Sequence, residues 1–195
     1  MVKLAPSWMQ SDREIVLAGL HADGSLIDYF KSEFGGDREM IAAAVGPGPN
    51  SNPYMIQCAT AELRGDTELG IAAVSQNAFV LGCVEELSSN REVVLAAVRN
   101  HGGVLSMTTP VLQEDREVVW AAVQSCPYSI RDAAYTLQAD RDFVLSALRA
   151  ARGQLPDLCE AFSSDDILDG LPDTLRSDPE ICHEAQALAF ESEKV

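Results

Sequence analysis

The chain is short of aromatic and of basic residues. Aromatics make up 6 % of its 195 residues, and 14 Lys and Arg stand against 30 Asp and Glu. The first shortage argues against a sheet packed with Tyr, Phe and Trp. Ala, Leu and Val supply most of a 47 % hydrophobic content, which suits close-packed short helices. The second shortage leaves a formal charge of −16. Such a field repels phosphate backbones and anionic membrane surfaces, so direct nucleic-acid binding is not expected. A protein partner, basic if charge decides, suits it better. The imbalance is steepest in residues 154–195, where eleven acidic side chains face two basic ones.

Other absences narrow the chemistry. No apolar run reaches membrane-spanning length, and the opening MVKLAPSWMQ lacks a signal-peptide core, so the expectation is no membrane insertion and an intracellular, cytoplasmic place. Five cysteines (Cys58, Cys83, Cys126, Cys159, Cys182) form no Cys-x-x-Cys pair and are expected as reduced, mostly buried thiols. His21, His101 and His183 make no HExxH motif and sit at no metal spacing from a cysteine, which leaves surface or capping roles. There is no glycine-rich phosphate loop, and in Gly46-Pro47-Gly48-Pro49 each proline removes a backbone donor. Asp165, Asp166 and Asp169 cluster without the EF-hand spacing; a solvated acidic cap is the main reading and a weak divalent-cation site the alternative. No catalytic, cofactor or metal residue is assigned, and no enzyme is expected.

What is present is a repeat. One phrase returns as DREIVLAGL from Asp12, DREMIAAAV from Asp37, DTELGIAAV from Asp66, NREVVLAAV from Asn90, DREVVWAAV from Asp115 and DRDFVLSAL from Asp140. The steps are 25, 29, 24, 25 and 25 residues, the longest enlarged by GPGPNSNP at residues 46–53. Near-constant spacing over six copies points to an array of stacked supersecondary units. Each phrase opens with a residue able to cap a helix, followed by a carboxylate near the positive end of the dipole. Ser11 and Ser89, one residue earlier, compete for the capping role, as Ser177 does with Asp178 further on. Position eight after the anchor is always Leu or Val (Leu20, Val45, Val74, Val98, Val123, Leu148), and position seven is always Gly or Ala. A large residue beside a small one fills a seam between helices that approach closely.

Apolar residues ten, seven and three places before the next anchor predict a second helix in each copy, about nine or ten residues long. Pro110 interrupts it once, predicting a break or a helix that begins at the proline. The recurrent Arg13, Arg38, Arg91, Arg116 and Arg141 are expected to form a ladder of charge pairs between copies. The phrase NREVVLAAVRNHG and its variants resemble the repeats of the family called domain of unknown function 4116. The resemblance spans roughly residues 12–162 and departs at Thr67 and Asp142, which replace the usual Arg and Glu. It implies a helical repeat used in arrays and transfers no catalytic or ligand residue.

The expected fold is all-α, an α-solenoid of about six short helix-pair repeats with an irregular acidic C-terminal cap. Residues 1–11 form a lead-in with Trp8 over the array's end, residues 12–162 the array, and residues 163–195 the cap. Within the cap a terminal helix is expected from Asp178 towards Glu191, with Ile181, Ala185 and Leu188 inward. The expected function is a protein-interaction scaffold or structural subunit without catalysis or cofactor. The alternative is a regulatory or substrate-binding module of a multi-domain enzyme or effector. Candidate partner contacts are Trp120, whose position elsewhere carries only Leu, Ala or Ile, and the enlarged loop through Pro47 and Pro49, with Tyr54 beside it.

Overall fold

Each anchor residue begins a helix by accepting the free N–H groups of its first turn, the capping that short polar side chains provide. Asp12 Oδ1 accepts from Glu14 and Ile15 at 3.0 and 3.3 Å. Asp37, Asn90 and Asp115 do the same, while Asp66 and Asp140 each accept one such bond. The preceding Ser11 and Ser89 do not cap these helices. The computed structural model, which describes residues 11–152 and 162–192, places anchor helices at α1 (Arg13–Ala22), α3 (Arg38–Val45), α5 (Thr67–Gln76), α7 (Arg91–Asn100), α9 (Arg116–Ser125) and α11 (Arg141–Ala151). Among the described residues every regular element is helical, so the fold is all-α. Leu20, Val45, Val74, Val98, Val123 and Leu148 are fully buried, as the seam pattern requires.

The second half of each copy departs from expectation. Only the first copy has a sizeable helix there, α2 (Ile27–Phe34). The next four place a six-residue 3-10 segment (Pro53–Cys58, Ala78–Cys83, Gly102–Met107, Pro127–Asp132) before a single α-turn: α4 (Ala61–Arg64), α6 (Glu85–Ser88), α8 (Pro110–Gln113) and α10 (Tyr135–Gln138). Helix α8 does begin at Pro110, but the break recurs where no proline stands. The extended joining residue has a lateral use for its N–H: Thr60 donates to Gly35 O and Ala134 to Gln113 O, both at 2.9 Å, stitching one copy to the one before. A 3-10 segment also rises about 2.0 Å per residue against 1.5 Å in an α-helix, so a short stretch spans more of the layer. Three apolar positions spaced by three and four residues fit either course.

Two side-chain devices support this second half. The residue eleven places past the anchor caps the 3-10 segment, and the loop insertion moves it to Asn52 in the second copy. Asp23, Asn52, Asn77 and the His101 Nδ1 accept from the N–H two residues on at 3.0–3.2 Å. His101 is therefore a capping histidine. The residue two before the next anchor reaches back to carbonyls around the break: Gln113 to Leu105 and Thr108, Gln138 to Ile130 and Arg131. Gly24 and Gly102 sit one residue past their caps, where an added Cβ would lie 2.5 Å from Ala44 O and 2.1 Å from Ala122 O.

The anchor aspartate has a second task. Its Oδ2 takes the arginine of the preceding copy: Arg13 to Asp37 at 2.7 Å, Arg38 to Asp66 at 2.9 Å, Arg116 to Asp140 at 2.8 Å. Where Thr67 replaces the arginine, the next anchor is Asn90, whose amide donates to the Thr67 hydroxyl at 2.8 Å while its Oδ1 still caps. Thr67, which stands for the arginine, and Asn90, which stands for the aspartate, are partners.

The chain divides into two compact units, Met1–Val93 and Val94–Val195, with α7 running across the division. In the first, α1 packs on α3 and α3 on α5, while the segment Pro53–Cys58 packs between α3 and α5. In the second, α9 packs on α11 and α11 on the terminal helix α14 (Pro179–Ser192), with 3-10 segments Gly102–Met107 and Pro127–Asp132 side by side.

The segment expected as irregular is built from α12 (Ser164–Leu168), α13 (Asp173–Arg176) and α14. Asp178 caps α14 at 3.0 and 3.2 Å, Pro179 takes its first position, and Ile181, Ala185 and Leu188 are fully buried. Arg141 Nε reaches Asp178 Oδ2 at 2.7 Å, and Arg176, two before Asp178, donates to Asp169 O and Leu171 O. Residues 178–192 thus repeat the anchor chemistry, which the missing DRE phrase conceals. Trp8 and Cys159 lie outside the described residues.

Candidate functional site

Helix α3 ends where Gly46 donates to Ala42 O and Pro47 offers no N–H to continue. The enlarged loop that follows is fastened on both sides. Gly24 N–H donates to Asn50 O at 2.9 Å, Asn52 N–H to Ala44 O at 2.8 Å, and the Gln76 amide to the carbonyls of Val45 and Gly46. The Ser51 hydroxyl lies 2.8 Å from both Gly48 O and the Gln76 side-chain oxygen. Between this loop and the ends of α1 and α3 lies a concavity of about 310 Å³, lined by Leu20, His21, Ala42, Ala43 and residues 46–51. Pro47 and Pro49 are exposed on its wall. The lining has no carboxylate; its titratable side chain is His21, whose Nδ1 lies 2.9 Å from Leu17 O.

The other two candidate contacts are turned to structural use. Tyr54 is half-buried, its hydroxyl accepting from the Asn77 amide at 3.1 Å, and so braces two consecutive 3-10 segments. Trp120 belongs to the second unit and is half-buried against Phe143, ring centroids 6.0 Å apart and tilted 60°. The Arg116 guanidinium lies 4.6 Å from the centre of the same Phe143 ring. Trp120 and Arg116 of one anchor helix thus grip Phe143 of the next. Pro47 and Pro49 share one concavity; Tyr54 and Trp120 are held elsewhere.

The remaining titratable groups are largely committed. Asp166 closes a capping box with Ser163, whose backbone and hydroxyl hydrogen bonds hold its carboxyl below the usual range. Asp169 lies 3.8 Å from Arg176, and among the described residues no three His, Cys, Asp or Glu side chains converge to hold a metal. The cysteines are less buried than expected: Cys126 is buried, Cys58 and Cys182 are half-buried, and Cys83, the last residue of its 3-10 segment, is exposed. Burial, then the Asp28 carboxylate, pushes the Cys58 thiol up, which works against a nucleophilic thiolate. Asp132 is half-buried and its carboxyl is raised by that burial.

Sequence reasoning missed an apolar edge in the second unit. Val111 is 76 % exposed and Tyr135 70 %, with Met107 and Pro110 also in solvent. The signal was available by comparing copies, as for Trp120. Four places before the anchor, Glu62 and Glu86 occupy the positions equivalent to Val111; five before, Ala61 and Glu85 correspond to Tyr135.

No curated protein and no solved structure matches this chain. The matched family unit starts at the N-cap of α9 and closes at the C-cap of α11, enclosing one 3-10 segment and one α-turn. Residues 115–152 match the model of the family described as Domain of unknown function (DUF4116), the family that the repeated phrase resembles.

Proposed function

We propose that this chain is a protein-interaction scaffold, without catalysis of its own, whose helix pairs stack as an α-solenoid. The observation that carries the reading is the presence of large apolar side chains, Val111 and Tyr135 foremost, held in solvent on a chain of formal charge −16. Apolar groups presented on rigid turns gain free energy when a partner removes them from water. Stacking is supported within each unit by anchor helices that pack on their successors and by arginines that reach the next anchor. The test is tagged capture from the native source with cross-linking. A stoichiometric partner whose cross-links fall on the helical surface is expected. A chain that elutes alone at monomer mass from native lysate would sink the proposal.

A further inference from the structure

The α-turns of the second unit differ from those of the first. Ala134 N–H donates to Gln113 O at 2.9 Å, joining the start of α10 to the end of α8, so the two turns are neighbours along one edge. That edge presents Pro110, Val111 and Tyr135, with Met107 leading into it. Two carboxylates border it: Glu114 directly follows α8, and Asp132 lies three residues before Tyr135. Neither forms a salt bridge among the described residues. Arg116 is engaged with Asp140 and Phe143, and Arg131, whose charge acts on Asp132 without a salt bridge, lies over the Tyr128 ring at 5.3 Å. Burial costs the Asp132 carboxylate more than the charge of its sequence neighbour Arg131 offsets, and a partner's ammonium or guanidinium would relieve it.

We propose that the edge formed by Val111 and Tyr135, with Asp132 and Glu114 beside it, docks a protein segment in which large apolar side chains alternate with Lys or Arg. Apolar contact supplies the affinity, and the bordering carboxylates select a cationic segment and speed its approach. The inference rests on the scaffold reading and names the chemistry of its partner.

The probe is a short fluorescein-labelled peptide of Leu and Lys, titrated into the full chain and followed by anisotropy, beside Leu/Glu and Ser/Lys peptides of equal length. Binding of the Leu/Lys peptide, with the other two weaker by about tenfold or more, is expected for an edge that needs both features. Tyr135→Ser and Val111→Ser should each weaken binding about tenfold. Asp132→Asn, nearly isosteric, should weaken it and flatten its salt dependence. Tyr29→Ser, at an exposed ring of the first unit, should change nothing, and unchanged circular-dichroism melts certify the folds. Equal binding of the Ser/Lys peptide, or binding indifferent to Tyr135→Ser, overturns the proposal. So does sedimentation showing a dimer that Tyr135→Ser dissolves, since the edge would then join copies of this chain. If native capture survives Tyr135→Ser, this edge alone is removed and the wider reading stands.

Discussion

The anchor aspartate serves two neighbours at once. Oδ1 caps its own helix and Oδ2 receives the arginine of the copy before; at Asp37, Asp66 and Asp178 the arginine Nη2 reaches the capping oxygen as well. The Arg13 guanidinium holds the Asp37 carboxyl below the usual range, and Arg38 and Arg141 do so for Asp66 and Asp178. At Asp140 the Phe143 N–H leads and Arg116 follows. Carboxyls depressed in the folded state stabilise it fully above the ordinary Asp range, and lose that effect as pH falls through their folded values. Melting temperature should therefore be level near neutrality and fall below about pH 4, with Asp37→Asn and Asp178→Asn making the fall shallower. A flat acid limb in the parent chain would refute the assignment. The Thr67–Asn90 exchange gives a second test. Asn90→Asp alone exchanges the amide donor for a carboxylate oxygen that only the Thr67 hydroxyl can meet. Thr67→Arg combined with it restores the arginine–aspartate pair of the other copies and should stabilise beyond the sum of the single changes. A double-mutant cycle in urea should show coupling of about 0.5 kcal/mol or more, and simple additivity would mean that the two residues are not partners.

At the scale of the element, the broken second half is held by groups that never appear in the repeated phrase. Gln138 satisfies the Ile130 and Arg131 carbonyls across the break, and Gln113 does the same one copy earlier. Gln138→Leu keeps the bulk and removes the donors; it should cost about 1 kcal/mol in equilibrium unfolding, with little change in helical signal. Gly102→Ala drives a methyl into the Ala122 carbonyl and should cost about 1–3 kcal/mol, whereas Gly36→Ala, whose nearest neighbour is a Thr60 methyl at 3.6 Å, should be mild. The expectation of a continuous second helix failed for an identifiable reason. Burial at ten, seven and three residues before the anchor records which side chains face inward. A 3-10 segment followed by an α-turn delivers nearly the same set: Ile56, Ala59, Leu105, Thr108, Leu112, Ile130, Ala133 and Leu137 are buried, and Cys83 is exposed.

At the scale of the whole molecule, residues 178–192 complete the second unit by covering α11. Removing residues 178–195 would strip away Ile181 and Leu188, both fully buried, at about 1.5–3 kcal/mol each, together with the Arg149 and Arg152 bonds to Glu184. The truncated chain should melt lower and self-associate through the bared helix, measured by sedimentation; an unchanged melt and a monomer would contradict that role.

The anchor helices, their caps and the buried Leu and Val positions were legible in the primary structure, because capping and helical periodicity act within a few residues. So was the Arg ladder, since a fixed step brings like positions together. The 3-10 course, the turning of Cys83 into solvent, the pairing of Thr67 with Asn90 and the use of Asp178 as a further anchor were decided by packing between distant segments. Those outcomes depend on which groups find partners across copies where the phrase itself changes or falls silent, and neither capping nor the period within one copy specifies them.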